Sequence, residues 1–136
     1  MATSDNVIRA GLTPKLRDVP NLVAGLTYNA APPSKHVVEP RSFGAATHST
    51  LYDPPIPEFS VVRAVVPAGA EEPHPPVDGP SIAIVTEGAG TVVAAGGVQL
   101  ALSEGDVFFV GAGKEIKMVA GGLRQLVVHR AFVEAK

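Results

Sequence analysis

Fourteen glycines and thirteen prolines make up about a fifth of the 136 residues. Proline removes a backbone donor and fixes φ, and glycine loses the most entropy on entering a helix. A load this high excludes an all-helical fold and favours short strands joined by many turns. The order of the residues agrees. From Glu58 onward, short β-like runs are each ended by Gly or Pro: Phe59–Val66, Ser81–Thr86, Thr91–Ala95, Val98–Leu102, Asp106–Val110, Glu115–Val119 and Gln125–Val133. Glu87-Gly88-Ala89-Gly90 reads as a hairpin connection, and Gly96-Gly97 as the next turn. Val98, Leu100 and Leu102 alternate with Gln99 and Ala101, the period of a half-buried strand. About seven strands in this rhythm predict a mainly β fold, a two-sheet sandwich of jelly-roll type.

Upstream the pattern differs. Val19, Leu22, Val23 and Leu26 share one helical face, Asp18 stands where an N-cap belongs, and Pro20 suits a first turn. The spacing predicts one short helix over Asp18–Tyr28. Asn29–Pro57 has six prolines and no periodicity, and reads as a long Pro-rich connector.

Composition removes several functions. Without cysteine there is no disulfide framework, no thiol nucleophile and no thiolate zinc site. The formal charge is -2 and no like-charge run exceeds Glu71-Glu72, so the basic footprint of a nucleic-acid binder is missing. No apolar stretch approaches the ~18 residues of a membrane span. Met1–Asn6 has neither the basic start nor the apolar core of a signal peptide. A protein of the cytoplasm, without membrane or nucleic-acid partners, is expected.

The four histidines, His36, His48, His74 and His129, form no His-x-His pair and no cluster with carboxylates in sequence. The first three fall in Pro-rich or polar stretches that read as loops, and the last in a strand. Each reads as a surface or structural residue, not a metal ligand. Thr3-Ser4-Asp5-Asn6 reads as a polar turn, since no histidine lies near it. Gly88-Ala89-Gly90 lacks the Lys-Ser/Thr of a phosphate loop and reads as turn glycine.

Gly105-Asp106-Val107-Phe108-Phe109-Val110-Gly111 resembles the second motif of the cupin jelly rolls. Where metal-binding cupins carry further ligands, this chain has Lys114 and Glu115 after the turn, and Glu72-Pro73-His74-Pro75-Pro76 upstream. The resemblance therefore implies a cupin-like barrel without a metal of its own.

A second resemblance covers essentially the whole chain. Ser4-Asp5-Asn6-Val7-Ile8-Arg9-Ala10-Gly11-Leu12-Thr13-Pro14-Lys15 resembles the active-site segment of the type I mannose-6-phosphate isomerases. Tyr52–Phe59, Asp78–Ile82, Thr86–Thr91, Gly105–Ala112 and His129–Phe132 resemble that family's C-terminal domain, in order. The resemblance implies interconversion of mannose 6-phosphate and fructose 6-phosphate by proton transfer through an enediol. In the family one zinc, held by a Gln, a Glu and two His, acts as Lewis acid. It implies a catalytic role for Arg9, whose guanidinium can fix phosphate or enediolate oxygens, and substrate contact for Lys15. The family's zinc ligands lie upstream of this segment, so none of this chain's own residues is expected to be a metal ligand.

Three parts follow: residues 1–17 as a remnant of the catalytic domain, 18–57 as helix and connector, and 58–136 as a metal-free jelly roll. Met1 is open to two readings, an internal methionine of a longer protein or a genuine start. On the first, the chain is the C-terminal part of a zinc isomerase, inactive alone. On the second, it is a free-standing degenerate cupin that binds or scaffolds without catalysis. An isolated chain is also expected to self-associate through the face that a catalytic domain would cover, with its first ~15 residues disordered.

Overall fold

The computed structural model describes residues 8–9 and 11–133. They belong to two units, one up to Val37 and one from Val38 onward. No helix among the described residues is long and apolar enough to cross a membrane.

In the N-terminal unit, α1 (Val19–Ala24) starts where the N-cap signal places it. The Asp18 carboxylate accepts the Asn21 backbone N–H at 3.2 Å and the Asn21 side-chain amide at 2.6 Å. The helix is shorter than the predicted Asp18–Tyr28. It stops at Ala24 with Gly25 at the C-cap, where glycine's freedom makes further helix costly. Tyr28 has φ of +50°, a left-handed conformation incompatible with continued helix. A 3-10 turn, Pro33–His36, closes the unit.

The C-terminal unit carries ten strands: β1 (Arg41–Ser42), β2 (Ser49–Tyr52), β3 (Ser60–Val66), β4 (Glu71–His74), β5 (Ser81–Glu87), β6 (Ala89–Ala94), β7 (Gln99–Ser103), β8 (Val107–Val110), β9 (Ile116–Ala120) and β10 (Leu126–Phe132). They form a six-stranded sheet, β1-β2-β3-β10-β5-β8, and a four-stranded sheet, β4-β9-β6-β7. All pairings are antiparallel. Strand alternation turns one face of each sheet inward, and the two faces share a core. Ala64, Val85, Phe108 and Val128 come from the larger sheet, and Val92, Leu102, Ile116 and Met118 from the smaller. The predicted two-sheet sandwich is therefore the architecture.

Three local expectations are corrected. Glu87–Gly90 is not a hairpin, because β5 and β6 lie in different sheets and this stretch carries the chain across. Its glycines serve close backbone approach. A Cβ on Gly88 would lie 2.0 Å from the Gln125 carbonyl oxygen, and one on Gly90 2.2 Å from that of Val119. The tight hairpin is instead the β6–β7 connection, where Gly96 and Gly97 both have positive φ. Second, the Pro-rich stretch is not only a connector. β2 pairs with β3, and Phe43 and Leu51 are buried with Val62 and Phe132 in a second apolar cluster. Third, His74 lies on a strand, not in a loop. β4 is the edge of its sheet, the position where Pro73 is tolerated.

Candidate functional site

At one end of the sandwich the core turns polar. Alternation on β4 points Glu72 and His74 inward from the four-stranded sheet, and both are fully buried (0% and 1% exposed). On β10 of the facing sheet, the inward position between Val128 and Phe132 is held by Arg130, only 1% exposed. Ser49 on β2 and Ser81 on β5 complete the buried polar set.

Buried polar groups cost several kcal/mol each unless hydrogen-bonded, so their pairing is informative. One carboxylate oxygen of Glu72 accepts the His48 backbone N–H at 2.9 Å and the Ser49 hydroxyl at 2.7 Å. The other faces the Thr47 N–H and hydroxyl, both at 3.4 Å. Glu72 thus ties the loop before β2 to the edge strand β4. The Ser49 Oγ also lies 2.8 Å from His74 Nε2. Its single proton goes to the carboxylate, so His74 donates from Nε2, and Nδ1 is left as an acceptor. That Nδ1 has no partner among the described residues. Arg130 donates from Nε to Ser81 Oγ at 2.9 Å, while Nη1 and Nη2 have no partner there.

The electrostatics follow. His74 is held down at about 4, first by burial and then by the Arg130 charge, with Glu72 opposing. The imidazole is therefore neutral at pH 7. Burial also lowers the Arg130 guanidinium from its ordinary value. Phe43 covers this end, edge-on to His74 with ring centroids 5.1 Å apart and 5.9 Å from Phe132. The arrangement is not a nucleophile relay. In a Ser-His-acid relay the carboxylate holds the histidine, whereas here it holds the serine and all three groups are sealed from solvent.

Zinc, which the family resemblance brings in, does not fit. No three His, Asp or Glu side chains stand together among the described residues. The Glu72 carboxylate is already occupied by four donors, and the Arg130 cation acts directly on His74.

The two residues singled out by sequence lie in the N-terminal unit. Arg9 and Lys15 are both exposed, and the Lys15 backbone N–H donates to Thr13 Oγ1 at 3.2 Å. Ser4, Asp5, Asn6, Val7 and Ala10 of the same segment, like Thr3 and the Met1 question, lie outside the described residues. Of the other histidines, His36 is exposed and His48 half-buried. His129 faces outward beside Arg63, and its Nδ1 lies 3.1 Å from Thr86 Oγ1. Sequence reasoning missed Ser49, Glu72, Ser81 and Arg130. The signal for Arg130 was present: an arginine at an inward position of a Val/Phe strand.

The two facing sheets, with strands crossing between them, define a cupin-type jelly roll. A cupin protein from Bacteroides fragilis matches the fold at a TM-score of 0.51, with 20% identity over 57% of this chain and 66% of that one. Closer similarity is more particular. The model for the C-terminal part of type I phosphomannose isomerase matches residues 49–97. The mannose-6-phosphate isomerase of Cryptococcus neoformans is 53% identical over 99% of this chain and 31% of its own length. That of Saccharomyces cerevisiae is 41% identical over 98% and 32%. Mannose 6-phosphate isomerase from Salmonella typhimurium, solved with fructose 6-phosphate and zinc, superposes at a TM-score of 0.74, with 26% identity over 99% of this chain and 32% of that one. The chain is similar to the C-terminal portion of the type I phosphomannose isomerases along nearly its whole length. It spans about a third of the length of the relatives it matches.

Proposed function

We propose that this chain acts as the C-terminal part of a zinc-dependent mannose-6-phosphate isomerase of the cytoplasm. The reaction interconverts mannose 6-phosphate and fructose 6-phosphate through an enediol. The observation that carries the reading is similarity along 99% of the chain to isomerases of three times its length. Residues 1–17 belong to the active-site domain, 18–57 link it, and 58–136 form the supporting jelly roll, into which Phe43 and β2 of the link are packed. Arg9 is the catalytic cation, holding developing oxyanion charge, and Lys15 attracts the anionic substrate. Both side chains are exposed, as groups that meet a substrate must be.

The zinc ligands belong to the remaining two thirds of the enzyme, so this chain alone holds no zinc and turns over no substrate. The test is elemental analysis and a coupled isomerase assay on the chain alone, beside Arg9→Ala in the longer enzyme. About one zinc per isolated chain with measurable turnover refutes the division of labour. Unchanged kcat and KM in Arg9→Ala refutes the role of Arg9. Self-association of the isolated chain, through surface that the catalytic domain covers, is read by sedimentation; a monodisperse monomer contradicts it.

A further inference from the structure

The inward face of the four-stranded sheet is not buried along its whole length. On β7, Leu100 and Leu102 point to the same side, and Leu100 stands opposite Val92 of β6. Val92 and Leu102 belong to the core, yet Leu100 is 50% exposed and Val98, nearer the β6–β7 turn, is 67% exposed. Core-facing apolar side chains left open in this way mean that the two sheets part here. The gap is a cavity of about 170 Å³, walled also by Phe108 and Val110 of β8 and by Ile116 of β9. All but one of the residues lining it are apolar or glycine. The exception is Lys114, in the turn between β8 and β9. A Cβ on Gly111 would meet the Lys114 stem at 3.8 Å, so this side chain folds back across the turn. Lys114 forms no ion pair among the described residues. Its neighbour Glu115 lines a different groove together with Lys117, which is paired with Glu71. The cavity therefore carries one positive charge at an otherwise apolar mouth.

Size and charge together select the occupant. An apolar cavity of about 150 Å³ holds one benzene-sized ring. The lining offers no side-chain hydroxyl, amide or carboxylate, so a sugar placed here would leave its hydroxyls unpaired. We propose that this mouth binds a small monocarboxylate whose body is a single six-membered apolar ring, with benzoate as the simplest example. The ring enters between the sheets against Leu100 and Phe108, and the carboxylate stays at the rim with Lys114. A carboxylate held there keeps part of its hydration and avoids the penalty of a fully buried charge.

The test titrates the full chain, labelled at its methyl groups, with sodium benzoate at constant ionic strength and follows the Val98 and Leu100 resonances by NMR. A saturable shift at millimolar benzoate is expected. Benzyl alcohol, the same ring without the charge, is expected to bind about fivefold more weakly. Lys114→Gln is expected to weaken benzoate by that factor and to leave benzyl alcohol unchanged. Leu100→Trp fills the gap from a half-exposed position and is expected to abolish both shifts at Val98. Acetate, the head group without the ring, is expected to give no saturable shift. No saturation with benzoate, equal losses of benzoate and benzyl alcohol in Lys114→Gln, or binding that survives in Leu100→Trp each overturn the proposal. Displacement of benzoate by mannose 6-phosphate would reveal a sugar site and overturns it too. Val98 and Leu100 resonances that move on dilution of the ligand-free chain assign the mouth to a second copy, with the same consequence. None of these readouts depends on isomerase activity, so failure here leaves the functional assignment standing, and the reverse.

Discussion

Replacing Glu72 with alanine tests whether one buried carboxylate holds the Phe43 loop onto the jelly roll. Two short bonds converge on one carboxylate oxygen, from the His48 N–H at 2.9 Å and the Ser49 hydroxyl at 2.7 Å. Hydrogen bonds to a charged group are worth roughly 1.5–3 kcal/mol each, so their joint removal costs about 3–6 kcal/mol. The two 3.4 Å contacts from Thr47 add little at that length. Removing the carboxylate also returns its desolvation cost, which brings the net loss toward about 3 kcal/mol. For a unit of this size that corresponds to a fall in Tm of more than about 10 °C. Glu72→Gln separates geometry from charge. Its carbonyl can take over the two short bonds and lose only the weak pair, a cost of about 1 kcal/mol. Urea denaturation of both variants reads the stability, and hydrogen exchange at the His48 amide reads the local anchor. An alanine variant within about 0.5 kcal/mol of wild type refutes the reasoning, since surface-like substitutions fall in that range. A glutamine variant as damaged as alanine refutes the assignment of the effect to the two short bonds.

Two further outcomes follow from the same end of the fold and from the sheet crossing. His74 is held at about 4 in the folded protein and lies near 6.5 when unfolded, so the folded state binds fewer protons. Its contribution is present above pH ~6.5 and is lost as pH falls toward about 4, a change of up to about 3 kcal/mol. Urea midpoints across that window are expected to fall more steeply for wild type than for His74→Gln, and equal slopes contradict the burial argument. Gly90→Ala drives a Cβ to 2.2 Å from the Val119 carbonyl oxygen and is expected to cost at least about 2 kcal/mol, whereas Gly122→Ala, with nothing within 4 Å, is expected to be neutral. Matching losses in the two variants, measured by thermal unfolding, rule out close approach as the reason for the glycine.

Much of the architecture was readable from local chemistry. Most turns between strands carry glycine or proline, which disfavour pleated pairing except on an edge strand, as at Pro73, or at a close backbone approach, as at Gly90. The N-cap at Asp18 was legible because capping is decided within three residues. The segment carrying Arg9 and Lys15 was legible as a run of consecutive residues. What was not legible depends on which strands meet. Glu87–Gly90 has the composition of a hairpin, and only the presence of Gln125 and Val119 behind it shows why it crosses between sheets instead. The strand at Ser49–Tyr52 hides in a proline-rich stretch because its stability comes from β3, not from its own propensities.

The sequence by itself determined the fold class, the spacing of the turns and the family segment at Arg9, since periodicity, turn chemistry and contiguous motifs are local properties. Only the tertiary structure decided that Ser49, Glu72, His74, Ser81 and Arg130, spread over 82 positions of sequence, form one buried cluster. Burial and charge proximity arise when two sheets close on each other, and no window of neighbouring residues contains them.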